Sequence, residues 1–193
     1  MVRMSALAAA TLLALSTSAH ADCLAEIQGI MKNHLNAGPY HATMESDMGG
    51  AKRVMEIDVI LPSSFHMKAE NMEAVMLKEG TWMKVNGKWM TMPGAISGAI
   101  EQNVKAGMAN GMKNVTNAQC EGPQSIEGKT LNKYEMDSSS EVSGIKAHSR
   151  ITMYTNDKGL PQIMIIDGEA MGHMTHMTQH ITYDPSITIS PPK

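Results

Sequence analysis

The residues best equipped for chemistry lie near the C-terminal end, in the run Met171-Gly172-His173-Met174-Thr175-His176-Met177-Thr178-Gln179-His180. Thioether sulfur and imidazole nitrogen suit Cu(I), so His173, Met174, His176, Met177 and His180 make a candidate metal site. The backbone decides whether they can meet. On a strand, Met174, His176 and His180 share one face while Met171, His173 and Met177 take the other; a loop could gather them. A polar strand edge in a methionine-rich chain accounts for the same residues without a metal.

Two pairs of carboxylates, Glu45 with Asp47 and Glu56 with Asp58, stand at strand spacing. Such pairs usually mark a solvated sheet face. No nucleophile elbow, phosphate-binding loop or zinc-protease motif accompanies them, so neither an enzyme nor a cofactor is expected. His34, His41, His66 and His148 stand apart from one another and are expected at surfaces. The chain holds two cysteines, Cys23 and Cys120, without the C-x-x-C spacing of a redox motif. In an exported chain they are expected to join as a structural disulfide, worth about 2–4 kcal/mol.

Export is read from the first 21 residues. Arg3 supplies a positive start, Ala6 to Leu15 an apolar run, and Ala19-His20-Ala21 a small-residue cleavage site. The run is too short to cross a bilayer. Asp22, directly before Cys23, is not the small residue that lipid attachment to that cysteine would require. The expectation is a cleaved signal peptide over 1–21, a single domain over 22–193, a periplasmic location and no transmembrane segment. With 16 basic residues, 19 acidic residues and no basic run, nucleic acid is not expected as a partner and an anionic membrane surface is a poor match. The unusual inventory is apolar: 20 Met against one Phe, two Trp and four Tyr. Methionine is unbranched and polarisable and adapts to irregular partners.

The elements that position these residues follow from periodicity. Leu24, Ile27, Ile30, Met31 and Leu35 recur at helical spacing until Gly38-Pro39. Tyr40, Ala42, Met44 and Met48 then alternate with polar residues. Beyond a Gly49-Gly50 turn, Met55, Ile57, Val59 and Leu61 do the same, and Phe65, Met67 and Ala69 share the face of another strand. Asn86-Gly87 is the signature of a two-residue type I′ hairpin. It sets Val85 against Lys88, Lys84 against Trp89, Met83 against Met90 and Trp82 against Thr91. Trp82 and Trp89 therefore take one face, and Met83, Met90 and Met92 the other, so both faces need apolar cover. From Ile96 to Met112 the apolar residues step by four, as a second helix. Later strands are expected weakly over Lys129–Met136, then around Ile145–Met153, over Leu160–Ile166 and over Gln179–Tyr183. Ser138–Ser140 and Gly168–Gly172 read as loops, and Asn156-Asp157-Lys158-Gly159 as a turn.

An opening helix, the meander "SSFHMKAENMEAVMLKEGTWMKVNGKW", a helix, then "RITMYTNDKGLPQIMII" and "ITYDPSITISPP" together resemble the LolA-like lipoprotein-carrier superfamily. The likeness is nearer to the LppX/LprG-type lipid-binding members than to the lipoprotein carrier itself, and Tyr154–Pro161 is its most recognisable piece. The resemblance implies an α+β fold: an incomplete antiparallel β-barrel, or half-barrel, whose concave face is covered by helices around a cavity for acyl chains. The residues agree in kind. A two-faced apolar sheet and an adaptable Met lining suit floppy hydrophobic ligands. The expected lining is Met55, Ile57, Phe65, Met67, Met83 and Met90 from the sheet, with Ile100, Val104 and Met108 from the second helix. The expected function is a periplasmic binder or carrier of a lipid or acyl chain. The alternatives are a copper-binding protein and an envelope interaction module, partnered by envelope proteins, that holds no ligand.

Overall fold

The computed structural model describes residues 18–48, 50–92, 102, 114–142, 145–170 and 173–193. The chain opens with α1 (Ser18–Asn36), which begins inside the expected leader. Six strands follow: β1 (Tyr40–Met48), β2 (Ala51–Ile60), β3 (Ser64–Ala69), β4 (Met72–Leu77), β5 (Gly80–Val85) and β6 (Lys88–Thr91). Five longer ones complete it: β7 (Val115–Ile126), β8 (Lys129–Val142), β9 (Ile145–Thr155), β10 (Pro161–Ala170) and β11 (His173–Tyr183). All join one antiparallel sheet in the order β6-β5-β4-β3-β2-β1-β11-β10-β9-β8-β7. The first and last strands of that order are edges, so the sheet is open and not a closed barrel. The expected helix over Ile96–Met112 lies outside the described residues apart from Gln102. Helical cover of the sheet is therefore described for α1 alone.

Local chemistry explains the first half. Asn86 (φ 51°) and Gly87 (φ 77°) take the positive φ angles that a type I′ turn demands. All four facing pairs of that hairpin form as expected. β1 and β2 pair with Met44 opposite Met55 and Ala42 opposite Ile57, so their apolar residues share a face.

In α1 the buried stripe is Cys23, Ile27, Ile30 and His34. Leu24 and Met31 are partly buried, and Leu35 is turned out at 41% exposure. This stripe packs on Val115, Ala118, Tyr134, Met136 and Met153, which defines the inner face of the sheet. The disulfide between Cys23 and Cys120 ties α1 to β7.

The second half corrects several expectations. β7 was not anticipated as a strand, because register shifts near Asn117 (φ 52°) and Gly122 (φ 77°) break its alternation. Ser138–Ser140 is no loop but part of the C-terminal half of β8, paired throughout with β9, and Ser138 also stands opposite Val115 of β7. That pairing overrides the weak strand propensity of serine. Gly168, expected in a loop, is an interior position of β10. A Cβ there would lie 2.9 Å from Thr175 Oγ1 and 3.3 Å from Ser149 Oγ, so glycine lets the flanking strands' side chains close over it.

Candidate functional site

Cross-strand register carries the inner face from α1 to the far edge in continuous rows. One runs Met153, Met164, Gln179, Met44, Met55, Ala69, Met72. The next runs Ile181, Ala42, Ile57, Met67, Ala74, Met83, Met90. A third runs Tyr183, Tyr40, Val59, Phe65, Met76, Thr81. Among the described strand side chains, every methionine except Met174 stands on this face. A random scatter of a gap-filling residue would not do that.

The face divides by cover. Under α1, Met136 and Met153 are buried in one cluster with Ile27 and Ile30. In the middle, Phe65 and Met76 pack with Tyr40, Ala42, Val59 and Ile181, with Ile57 and Met67 against them. Towards β6, Met55 and Met83 are half-buried, Met72 is 39% exposed and Met90 is 55% exposed. The six expected sheet-side lining residues thus share one face, three in or against a packed cluster and three in more open surroundings. Ile100, Val104 and Met108 lie outside the described residues. A depression of about 500 Å³ sits at the turn ends of β3–β6 between Lys68, Met72, Lys84 and Asn86. Another of about 340 Å³ lies beside Glu45, Arg53 and His176. None of the expected lining residues borders either one.

Hydrogen bonds hold α1 over its end of the face. The Tyr134 hydroxyl donates to Glu26 Oε1 at 2.7 Å. Burial, then that carboxylate, push the Tyr134 hydroxyl up to about 12. At the helix C-terminus the Tyr183 hydroxyl lies 2.7 Å from His34 Nδ1, and the Tyr40 ring is 5.0 Å from the imidazole. His34, expected at a surface, is 9% exposed, and burial holds its pKa below the ordinary value. The neutral ring therefore accepts from Tyr183, whose own pKa burial raises. Sequence reading missed this corner, although His34 stands one helical turn beyond Ile30. Met72 and Met76 were missed as well; their alternation with Ala74 was the available signal.

The outer face is different chemistry. His41 Nδ1 is 2.8 Å from Asp58 Oδ1, and His66 Nδ1 is 3.8 Å from Asp58 Oδ2. His66 Nε2 is 3.1 Å from Glu73 Oε1, and Lys84 Nζ is 2.9 Å from Glu73 Oε2 and 5.6 Å from the Trp89 ring centroid. This ladder crosses β1 to β6, and Lys84, then His66, hold the Glu73 carboxyl below its usual range. Trp82 and Trp89 are on this side, opposite Met83 and Met90.

The candidate metal residues are not gathered by a loop, because β11 is a strand from His173 onwards. Register puts Met174, His176 and His180 on the outer face and Met177, with the His173 position, on the inner one. Met171 lies outside the described residues. His176 Nδ1 is 2.6 Å from Asp167 Oδ1, and His180 Nδ1 is 3.8 Å from Glu127 Oε2. Among the described residues, no three His, Cys, Asp or Glu side chains are placed to hold a metal ion.

No protein-family model and no curated protein matches the chain. Solved structures do match. The lipoprotein LppX of Mycobacterium tuberculosis superposes with a TM-score of 0.52 at 13% identity, over 82% of this chain and 93% of that one. MucB superposes with a TM-score of 0.50 at 10% identity, over 84% of this chain and 58% of MucB, so this chain spans little more than half of MucB. At these identities the likeness is one of fold. At that level the expected LppX-type resemblance is borne out. No described helix is long and apolar enough to cross a membrane.

Proposed function

We propose that the protein is an exported, periplasmic binder or carrier of a lipid or similar apolar ligand, held against the methionine face between β2 and β6. The observation that carries this reading is the segregation of methionine. The same open sheet carries an ion-pair ladder on its outer side and exposed or half-buried thioethers on its inner side. An apolar surface left open on a folded domain marks a binding site more often than a defect. Flexible thioether side chains fit an acyl chain without a fixed shape. The LppX-like fold supports the same reading. Ile100, Val104 and Met108 would complete the site from the opposite side. No catalytic step is assigned.

Uptake of a fluorescent fatty acid tests it. The parent protein should bind the probe, and Met83→Trp should weaken uptake about tenfold, or about 1.4 kcal/mol, with an unchanged circular dichroism spectrum. Overfilling a solid core instead costs about 1–3 kcal/mol of stability. A parent that takes up no apolar probe, with Met83→Trp merely destabilised, would show that the face is ordinary core.

A further inference from the structure

We infer that the methionine face is also a modification site, at which oxidation of Met72 and Met90 to the sulfoxide lowers the protein's affinity for its apolar ligand. The inference rests on the ligand reading above and adds a control to it.

Leucine would supply the same apolar area without sulfur. What methionine adds is a thioether that oxidants attack, and attack requires access. The face grades that access along its own rows. Met153, at the α1 end of one row, is 0% exposed, while Met72, at its other end, is 39% exposed. Met90, ending the next row, is 55% exposed and stands directly opposite half-buried Met83. The oxidisable end of the face is thus the end left open for a ligand, and the protected end is the one that holds the fold together.

The chemistry balances with hydrogen peroxide as oxidant. The sulfur lone pair attacks one peroxide oxygen, the O–O bond breaks, and the proton on the transferred oxygen passes to the departing hydroxide, which leaves as water. Sulfur loses two electrons and the oxidant gains them. The product carries a strong dipole where an acyl chain would lie, so the ligand must desolvate a polar group to bind. Met72 and Met90 lie away from the α1 cluster, so the fold tolerates the change.

Met174 is a built-in comparison, since it is 65% exposed but stands on the outer face. Protein is treated with limiting hydrogen peroxide, oxidised positions are mapped by peptide mass spectrometry, and fatty-acid affinity is measured before and after. Each protein is compared with its own untreated form. The parent should lose affinity by about tenfold or more once Met72 and Met90 are oxidised, and sulfoxide reductases for both epimers should restore it. The double variant Met72→Leu, Met90→Leu should show an oxidised-to-untreated ratio near one, and Met174→Leu should lose affinity as the parent does. Unchanged parental affinity with both sites oxidised overturns the inference, as does an equal loss in the double leucine variant. So does oxidation of Met153 ahead of Met72 and Met90. A parent that binds no probe before treatment removes the ligand reading itself, and this inference with it.

Discussion

The two ends of the inner face are built from the same residue and behave as different materials. At the α1 end, Met136 and Met153 are sealed beneath Ile27 and Ile30, and a disulfide, a tyrosine–glutamate bond and a tyrosine–histidine bond pin the helix down. At the β6 end, Met72 and Met90 continue the same rows in the open. Composition does not separate the halves; cover does. A methionine under a tied helix is core, and the same side chain six or more strands away is a surface on which something apolar can settle.

The sharpest test of that contrast is a matched truncation. Met153→Ala should cost about 2–5 kcal/mol of unfolding free energy, because it opens a cavity in packed surroundings. Met90→Ala should change stability by no more than about 0.5 kcal/mol, as expected of an exposed position. Similar losses at both sites in denaturant titrations would erase the distinction.

Removing the tie between α1 and β7 comes next in size. Replacing Cys23 and Cys120 together by serine should lower stability by about 2–4 kcal/mol, read as a fall in the denaturation midpoint. The loss should fall on the α1 end: hydrogen exchange should quicken in α1 and β7 and stay unchanged in β3–β5. Uniform quickening across the sheet would mean that the two ends unfold as one.

The smallest expected effect is in pH, and the two ends should differ in its onset. His34 has a folded pKa below its free value of 6.5, so the unfolded chain binds a proton more readily. Its contribution is present above 6.5 and is lost as pH falls from there towards the folded value. Glu73, held below 4.5 by Lys84 and His66, keeps its contribution above that value and loses it only as pH falls further. His34→Gln should therefore flatten the stability profile just below pH 6.5, whereas Glu73→Gln should leave that region alone and flatten the profile below 4.5. A His34→Gln profile superimposable on the parent's would deny the buried histidine this role.

Legibility in the sequence followed how local the physics was. The Asn86-Gly87 hairpin was readable to the residue, since positive φ at two consecutive positions selects one turn and one register. The β1–β2 pairing was readable because polar and apolar residues alternate without interruption. The disulfide followed from two cysteines in a chain expected to be exported. β7 was not readable, because its bulges shift the phase of alternation partway along the strand. Ser138–Ser140 and Gly168 were misread as loops because serine and glycine carry no apolar alternation, and only pairing with the neighbouring strands holds them in the sheet. For the candidate site, strand period paired Met55 with Ile57, Phe65 with Met67 and, across the hairpin, Met83 with Met90, whereas their common face and their cover came only from the assembled sheet.

By itself, then, the sequence determined the tight turns and the alternation within the uninterrupted strands, and hence which residues share a face within a strand or hairpin; these depend on backbone sterics and a period of two. It also set the abundance of thioether sulfur. Only the tertiary structure decided which of those methionines are inert. That depends on where α1 comes to rest, and its resting place is chosen by contacts between residues about a hundred positions apart, Cys23 with Cys120 and Glu26 with Tyr134. His34 shows the same division: its helical phase is written in the sequence, but its burial comes from Tyr40 and Tyr183, two strands that meet only when the sheet is assembled.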